Sequence, residues 1–370
     1  METLCSIVMP VYNAQDYLSE CLDSIAHQTL QDFELICVDD GSTDNSLSIL
    51  KNFAALSSRL RIIEQQNKGA GTARNCGIQE AHGRYIFFAD ADDILAPDLL
   101  EKAKDLAEKT AADIVTFGFQ RFNLHGHQKK QLGYQAEHLA AHQTIFCRAD
   151  CPDHILRVTY PAPWNKLFSR RFILDAKLRF DEISSSNDIT FSALASFKAS
   201  KIAVLSECLY FHRVDHGGTI TRTKQKNLRN VLSAAQSTIR QVKAADSSLA
   251  THRAICFFET EVYTSTFSSF IHDWDASETQ AFYTAVHTRF NEDECADYAE
   301  ILKPAHGLLF RYQILKRYAY DEVSAQLRRE LLDFKALPGV PRPLRAFVRL
   351  FLDNISPASK ARIKRLLHRQ

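Results

Sequence analysis

The chain has 370 residues, 45% of them hydrophobic and 24% charged, with a formal net charge of +1. A chain of this length buries a sizeable core without covalent staples, and so small a net charge offers no field for nucleic acid, which is excluded as a partner. Its nine cysteines, an odd number with no Cys-x-x-Cys pair, read as reduced thiols, against a disulfide framework or a structural zinc.

Charge is unevenly spread. Residues 341–370 carry eight Lys/Arg and one Asp, so the rest of the chain is net acidic. No apolar run reaches the roughly 18 residues a membrane span needs, and Met1-Glu2 opens no basic leader, so a cytoplasmic protein is expected.

Through residue 118, short apolar runs alternate with helical patterns. Leu4–Met9 is a buried-strand candidate, followed by helical spacing at Tyr17, Leu18, Cys21, Leu22 and Ile25. Phe33–Val38 is a second strand and Leu47, Leu50, Phe53 and Ala54 mark a second helix. Leu60–Ile63, a helix over Gly71–Ala81, a strand at Arg84–Ala89, a helix starting near Pro97 and a strand at Ile114–Phe117 complete this part. The alternation predicts an α/β fold with a mainly parallel, Rossmann-like sheet flanked by helices, and in such sheets ligands lie beyond the carboxyl ends of the strands. Residues 119–160 are polar, rich in His and Gln and without period, and are expected as an excursion or mobile loop. A helix from Asp188 and strands at Lys201–Leu205 and Tyr210–Arg213 follow. Beyond Lys224 the pattern is helical, which places a boundary near 222–230: a catalytic domain over 1–222, a helical region over 223–340 and a basic tail over 341–370.

Polar residues cluster where the strands end. Asp90-Ala91-Asp92-Asp93 sets three carboxylates within four residues, an arrangement relieved by a hard divalent ion such as Mg²⁺ or Mn²⁺, or else a solvated turn before a helix. Asp39-Asp40-Gly41-Ser42-Thr43-Asp44 is turn and cap chemistry, with an aspartate able to receive hydrogen bonds from a base or ribose. Gly69-Ala70-Gly71-Thr72-Ala73-Arg74 is either a plain loop-to-helix junction or a close approach to phosphate with Arg74 as a fork.

Together Ser6–Asn13 (SIVMPVYN), Val38–Asp44, Gly69–Gly77 (GAGTARNCG) and Asp90–Asp93, in this order and separation, resemble glycosyltransferase family 2, with its GT-A fold. The resemblance implies a nucleotide-sugar donor, UDP-sugar favoured, and roles for individual residues. Tyr12 would flank the base and Asp40 bind it, Asp39 and Asp90 would lie near base and ribose, and Arg74 would hold the nucleotide. Pro10 and Ala91 count among the same nucleotide-binding positions, and Asp92 with Asp93 would coordinate Mn²⁺ or Mg²⁺. Trp164-Asn165-Lys166 resembles the family's acceptor-side W-x-K element. Asn187-Asp188-Ile189-Thr190-Phe191 resembles its Glu-Asp-x-x-Phe motif, with Asn187 in place of Glu and Asp188 as catalytic base; without the upstream motifs Asp188 would read as a helix cap. Tyr210–Arg213 with Gly218–Arg222 resembles the segment that closes the site, bringing Arg213 and Thr219 toward the diphosphate, and His216 is either a metal ligand or an ordinary surface histidine.

The implied reaction is an inverting, metal-dependent transfer to a glycan or lipid-linked acceptor in bacterial surface polysaccharide synthesis. The alternative is a catalytically impaired member acting as a binding or scaffold module, to which Asn187 gives weight. Pro10–Asn13 after the first strand replaces the glycine-rich loop that a sugar-nucleotide pyrophosphorylase or an NAD enzyme would carry. The basic amphipathic tail suits either an anionic membrane surface or the chain's own acidic body.

Overall fold

The computed structural model describes residues 4–123, 126–214, 228–270, 286, 289 and 297–302. The first hundred residues fold as the alternation requires: β1 (Cys5–Val11), α1 (Leu18–Ala26), β2 (Phe33–Asp39), α2 (Ser46–Leu56), β3 (Leu60–Glu64), α3 (Ala70–Glu80), β4 (Tyr85–Phe88), the short β5 (Ile94–Leu95) and α4 (Leu99–Thr110). β1 pairs in parallel with β2 and β4, and β2 with β3, so the turns that follow β1, β2 and β4 all open on one rim. β1 is buried along its length apart from Pro10, as a strand covered on both faces must be.

The sheet then departs from simple alternation. β6 (Ile114–Asn123) and β9 (Lys166–Ser169) pair antiparallel with each other, β9 also pairs antiparallel with β4, and β10 (Ile202–Arg213) runs parallel to β6. Two antiparallel steps restore direction, so β6 and β10 run the same way as β4. The start of β9, at Lys166, and the end of β10, at Arg213, therefore lie at the same rim as the turns after β1, β2 and β4. β5 lies antiparallel on β10 and closes the order β3-β2-β1-β4-β9-β6-β10-β5. Tyr210–Arg213 and Lys201–Leu205, expected as separate strands, are one strand with register shifts between Leu205 and Tyr210.

Residues 119–160 are not the loop that their polarity predicts. β6 runs on to Asn123, β7 (Gly126–Gln131) folds back on it, and β8 (Ile145–Phe146) pairs with β10. Beyond Phe119 the residues of β6 are only partly buried, so the backbone ladder forms without an apolar alternation to announce it. Pro97 stands two residues before α4, not at its first position, and its carbonyl accepts from Thr29 N at 2.8 Å.

α5 (Arg170–Asp175), α6 (Asp188–Lys198) and α7 (Leu228–Ala245) follow, with α8 (Leu249–Phe270) and the short α9 (Tyr298–Ile301) beyond. The chain divides into two compact units, Met1–Ile255 and Cys256–Gln370, so α7 packs with the sheet-bearing unit. The boundary expected at 222–223 and the tail at 341–370 lie outside the described residues. In the second unit, the wholly buried Glu259 accepts from Arg289 Nε at 2.7 Å and from Tyr298 OH at 3.0 Å. The eight described cysteines are all free thiols. No helix among the described residues is long and apolar enough to cross a membrane.

One aromatic cluster sets the position of α6. Phe191 stacks on Phe180 at 4.0 Å and meets Phe88 of β4 and Phe168 of β9 edge-on at 5.5 and 5.4 Å. Phe191 is fully buried and lies three residues after Asp188, so it locks the helix start against the sheet. Phe191→Ala is expected to cost about 3–5 kcal/mol, read as a fall in the urea midpoint at constant slope; a loss below about 1 kcal/mol would contradict the packing account.

Candidate active site

The rim is built from four turns bonded to one another. After β1, Asn13 takes a left-handed φ of 48°, and its side-chain oxygen accepts from Thr43 N at 2.8 Å. Ala14 N donates to Ser46 Oγ at 2.8 Å and Gln15 N to Asp44 Oδ2 at 3.1 Å. Asp44 Oδ1 also accepts from Ser46 N at 2.9 Å, the capping role its sequence context suggests. Tyr12, half exposed, stands free above this lattice as an open aromatic face.

The two aspartates at the end of β2 do different work. Asp40 is buried, and its carboxylate accepts from Gln65 Nε2 at 2.7 Å and from Lys68 N and Gly69 N, both at 2.8 Å. It therefore fixes the loop that carries the chain into α3, where Gly69 adopts a φ of 90° that only glycine takes without strain. Asp39 is also buried; its Oδ2 accepts from Ser42 N at 3.2 Å, while its Oδ1 has no partner among the described residues. A buried carboxylate oxygen left unpaired is costly, and this one is available to accept a hydrogen bond. Of the pair, Asp39 rather than Asp40 has hydrogen-bonding capacity to spare for a base or ribose.

The acidic turn divides in the same way. Asp90 N donates to Tyr210 OH at 3.2 Å, and Asp90 Oδ1 accepts from Arg74 Nη2 at 2.6 Å. Asp93 is wholly buried. Its carboxylate accepts from Arg213 N at 2.7 Å and lies 3.2 Å from His212 Nδ1. Burial, with Asp92 beside it, pushes the Asp93 carboxyl up to about 6, against the pull of His212. The same pairing holds the His212 imidazole above its ordinary value, although burial alone would lower it. Asp93, expected beside Asp92 at a metal, is held by the Arg213 N–H and lies against His212. Asp92, like Asp90, is partly exposed. Among the described residues no cluster of three or more His, Cys, Asp or Glu is gathered as a protein-only metal cage. A partly exposed carboxylate at Asp92 fits a hard divalent ion that takes its remaining oxygens from a diphosphate and water.

Arg213 braces this turn and does not reach outward. Its Nε donates to the Asp92 carbonyl at 2.8 Å and its Nη2 to Glu20 at 2.5 Å, and the guanidinium lies between the rings of Tyr17 and Phe122, at 4.8 and 4.5 Å. Arg213, expected near the diphosphate, thus has its Nε and Nη2 engaged with the protein. Thr219 and His216 lie outside the described residues.

Trp164 lies between Tyr210 and His212, stacked on each at 4.9 Å, and so supports the strand that carries the brace. Lys166 is wholly buried, and its ammonium donates to the Tyr160 carbonyl at 2.5 Å, the Ala162 carbonyl at 2.7 Å and Asn165 Oδ1 at 2.9 Å. Burial lowers its pKa to about 7, with Asp188 opposing the shift. The W-x-K element is thus a rigid wall beside Asp188.

Arg74 joins the two halves of the site. The side chain is buried at 7% exposure, its Nη2 on Asp90 and its Nη1 on Asn187 Oδ1 at 2.9 Å, with the guanidinium 5.3 Å from the Phe180 ring. Next to it, Asn75 clamps Phe180 by two bonds of 2.9 Å, Nδ2 to the carbonyl and Oδ1 from the N–H. Ser186, at a left-handed φ of 59°, turns the chain into Asn187. Asp188 then opens α6. Its side chain is partly exposed and accepts no hydrogen bond from any described residue, and the first helical turn leaves its N–H groups uncapped by a side chain. The helix-cap alternative is not what the fold uses. Sequence reasoning expected a helix here but not its contact with the site: in α7, Asn230 Nδ2 donates to Ser184 and Ser185 at 2.8 and 3.1 Å and Ser237 donates to Asp181 at 3.2 Å, securing the segment before Asp188. Only its Asn and Ser residues in an otherwise amphipathic helix could have signalled this.

Residues 6–160 match the family model described as Glycosyl transferase family 2. Glycosyltransferase GlyG of Streptococcus pneumoniae is 34% identical over 240 residues, 60% of this chain and 75% of that protein. The chain belongs to glycosyl transferase family 2. An uncharacterized glycosyltransferase of Bacillus subtilis, EpsJ, is 34% identical over 227 residues, covering 58% of this chain and 62% of its own length. Among solved structures, Staphylococcus aureus TarS in complex with UDP-GlcNAc superposes with a TM-score of 0.66 at 20% identity, over 85% of this chain and 91% of that one. That likeness shows the GT-A fold.

Lys166→Ala would leave three buried oxygens without their donor. It is expected to lower stability by about 3 kcal/mol in urea unfolding, whereas wild-type-like stability of the alanine variant would speak against the ammonium's structural role.

Proposed function

We propose that the chain is an inverting glycosyltransferase that moves a sugar from a nucleotide-sugar, UDP-sugar favoured, to a saccharide or lipid-linked acceptor in bacterial surface polysaccharide synthesis. The observation that carries this reading is Asp188: an unengaged carboxylate at a helix start, linked through Asn187 and Arg74 to the acidic turn at Asp90. The complex of TarS with UDP-GlcNAc supports a UDP-sugar as the donor.

In this reading Tyr12 flanks the base and Asp39 Oδ1 receives a donor from base or ribose. Asp90, held by Arg74, borders the ribose, and Asp92 would hold Mn²⁺ or Mg²⁺ against the diphosphate. A bound divalent cation supplies neutralisation of the charge that develops on the leaving diphosphate. Asp188 removes the proton from the acceptor hydroxyl as its oxygen attacks the anomeric carbon on the face opposite the leaving group. One base and one displacement invert the anomeric centre. The buried wall of Trp164 and Lys166 keeps the approach to Asp188 rigid.

The catalytic part is assigned to 1–222, with 223–340 as a helical region and the basic tail 341–370 meeting the anionic face of the inner membrane leaflet, where lipid-linked acceptors reside. Flotation with phosphatidylglycerol vesicles should recover the full chain and lose a chain ending at 340; equal recovery would remove the membrane contact.

The test of the reaction is nucleotide release from a panel of UDP-, GDP-, CMP- and dTDP-sugars with Mn²⁺. Turnover is expected with a UDP-sugar. Asp188→Asn should lower kcat by about 10²–10⁴-fold with UDP binding retained, and Asp39→Ala should weaken UDP binding by about tenfold or more. UDP binding without turnover of any donor would favour a binding module.

A further inference from the structure

Asn187 is where this chain departs from its family's Glu-Asp-x-x-Phe motif, and its geometry gives that departure a chemical consequence. A guanidinium only donates, so the Asn187 amide must turn its oxygen toward Arg74 Nη1, as it does at 2.9 Å. The Nδ2 group is thereby aimed the other way. Among the described residues nothing accepts from it, although Asn187 is 5% exposed and packed in place. The seat is tight, since a Cβ on Gly71 would come within 3.0 Å of Asn187 Cβ. The amide is therefore a fixed donor with an unspent N–H.

Its position follows from its two attachments. By covalent sequence it adjoins Asp188, and through one buried guanidinium it is held to Asp90 on the acidic turn. On the reading proposed above, the transferred sugar must lie between the leaving diphosphate and the base, and Asn187 flanks that interval. We infer that Asn187 Nδ2 donates a hydrogen bond to an oxygen of the transferred sugar, making Asn187 a specificity-determining residue of the donor site. A glutamate there could hold Arg74 equally well but, being acceptor-only, could not make this bond.

Aspartate and glutamate at this position separate the two roles. Both keep an oxygen for Arg74 and both remove the donor. In the nucleotide-release assay with UDP-GlcNAc and UDP-glucose, Asn187→Asp and Asn187→Glu should each raise KM for the sugar that the wild type turns over by about tenfold, the loss of one hydrogen bond to substrate. The inhibition constant of UDP, which has no sugar to receive the bond, should stay within about twofold. Wild-type-like KM in both variants would overturn the inference and leave Asn187 as mere support for Arg74. A parallel rise in the UDP constant would also overturn it, tracing the effect to charge near the diphosphate. Absence of turnover by the wild type with any UDP-sugar would instead sink the donor reading on which the inference rests.

Discussion

The site depends on one buried cation. Arg74 is almost entirely removed from water, and a guanidinium in that position must be compensated by charge and hydrogen bonds or the fold pays several kcal/mol for it. Asp90 supplies the charge, Asn187 a neutral oxygen and Phe180 a ring face. Each compensating group comes from a different stretch of chain: the turn after β4, the segment before α6 and the loop before it. Satisfying Arg74 therefore assembles the rim. The turn after β4 cannot shift relative to α6 without breaking a charge-assisted bond in a medium of low polarity, where such bonds are strong.

The rim also shows a division of labour between neighbouring carboxylates. In each adjacent pair one member is buried into protein donors, while the other keeps an unpaired oxygen, as Asp39 does, or partial exposure, as Asp92 does. Asp40 fixes the loop into α3 while Asp39 keeps an oxygen without a partner. Asp93 is absorbed by His212 and the Arg213 backbone while Asp92 stays partly exposed. The pairing has a physical reason. A lone functional carboxylate on a turn would be free to rotate toward solvent, whereas a sequence neighbour anchored in the interior fixes the backbone from which it projects. It also explains the rise in the Asp93 carboxyl, which is the cost of burying the anchor beside a second negative group.

Much of this was legible from the residues. β1, β2, β3, β4 and the helices between them are buried apolar runs and amphipathic repeats of ordinary length, and periodicity locates them to within two or three residues. The polar motifs at the strand ends placed Asp39, Asp90 and Asp92 on one rim because parallel strands end together, whereas Arg74 and Asp188 were brought in by the family resemblance. What periodicity could not supply was partnership. Nothing in Asp39-Asp40 or Asp92-Asp93 says which member faces inward, since that depends on backbone N–H groups from Lys68, Gly69 and Arg213, far away in sequence. Arg213 was placed toward the diphosphate by the family resemblance of its segment; the Tyr17 and Phe122 rings beside it come from distant parts of the sequence. β7 stayed hidden because a strand paired only along one edge at the rim needs no apolar face.

The same logic bears on the antiparallel insertion of β9. A strictly parallel sheet would bring only strand ends to the rim, each followed by a turn and a helix. Reversing one strand between β4 and β6 brings a strand beginning there instead, and with it Trp164, Asn165 and Lys166, whose side chains are clamped by the ladder immediately behind them. Stacked on Tyr210 and His212, Trp164 transmits that rigidity to β10, hence to Arg213 and the acidic turn. Lys166, locked onto three oxygens, carries it toward Asp188. Arg74 ties the acidic turn to the start of α6 from one side, and the reversed strand does so from the other, so the two halves of the site are positioned twice by independent contacts. A displacement of Asp188 from the acidic turn would have to break a buried ion pair and unstack an aromatic triple at once, which is why a carboxylate with no hydrogen bond of its own can still occupy a defined place.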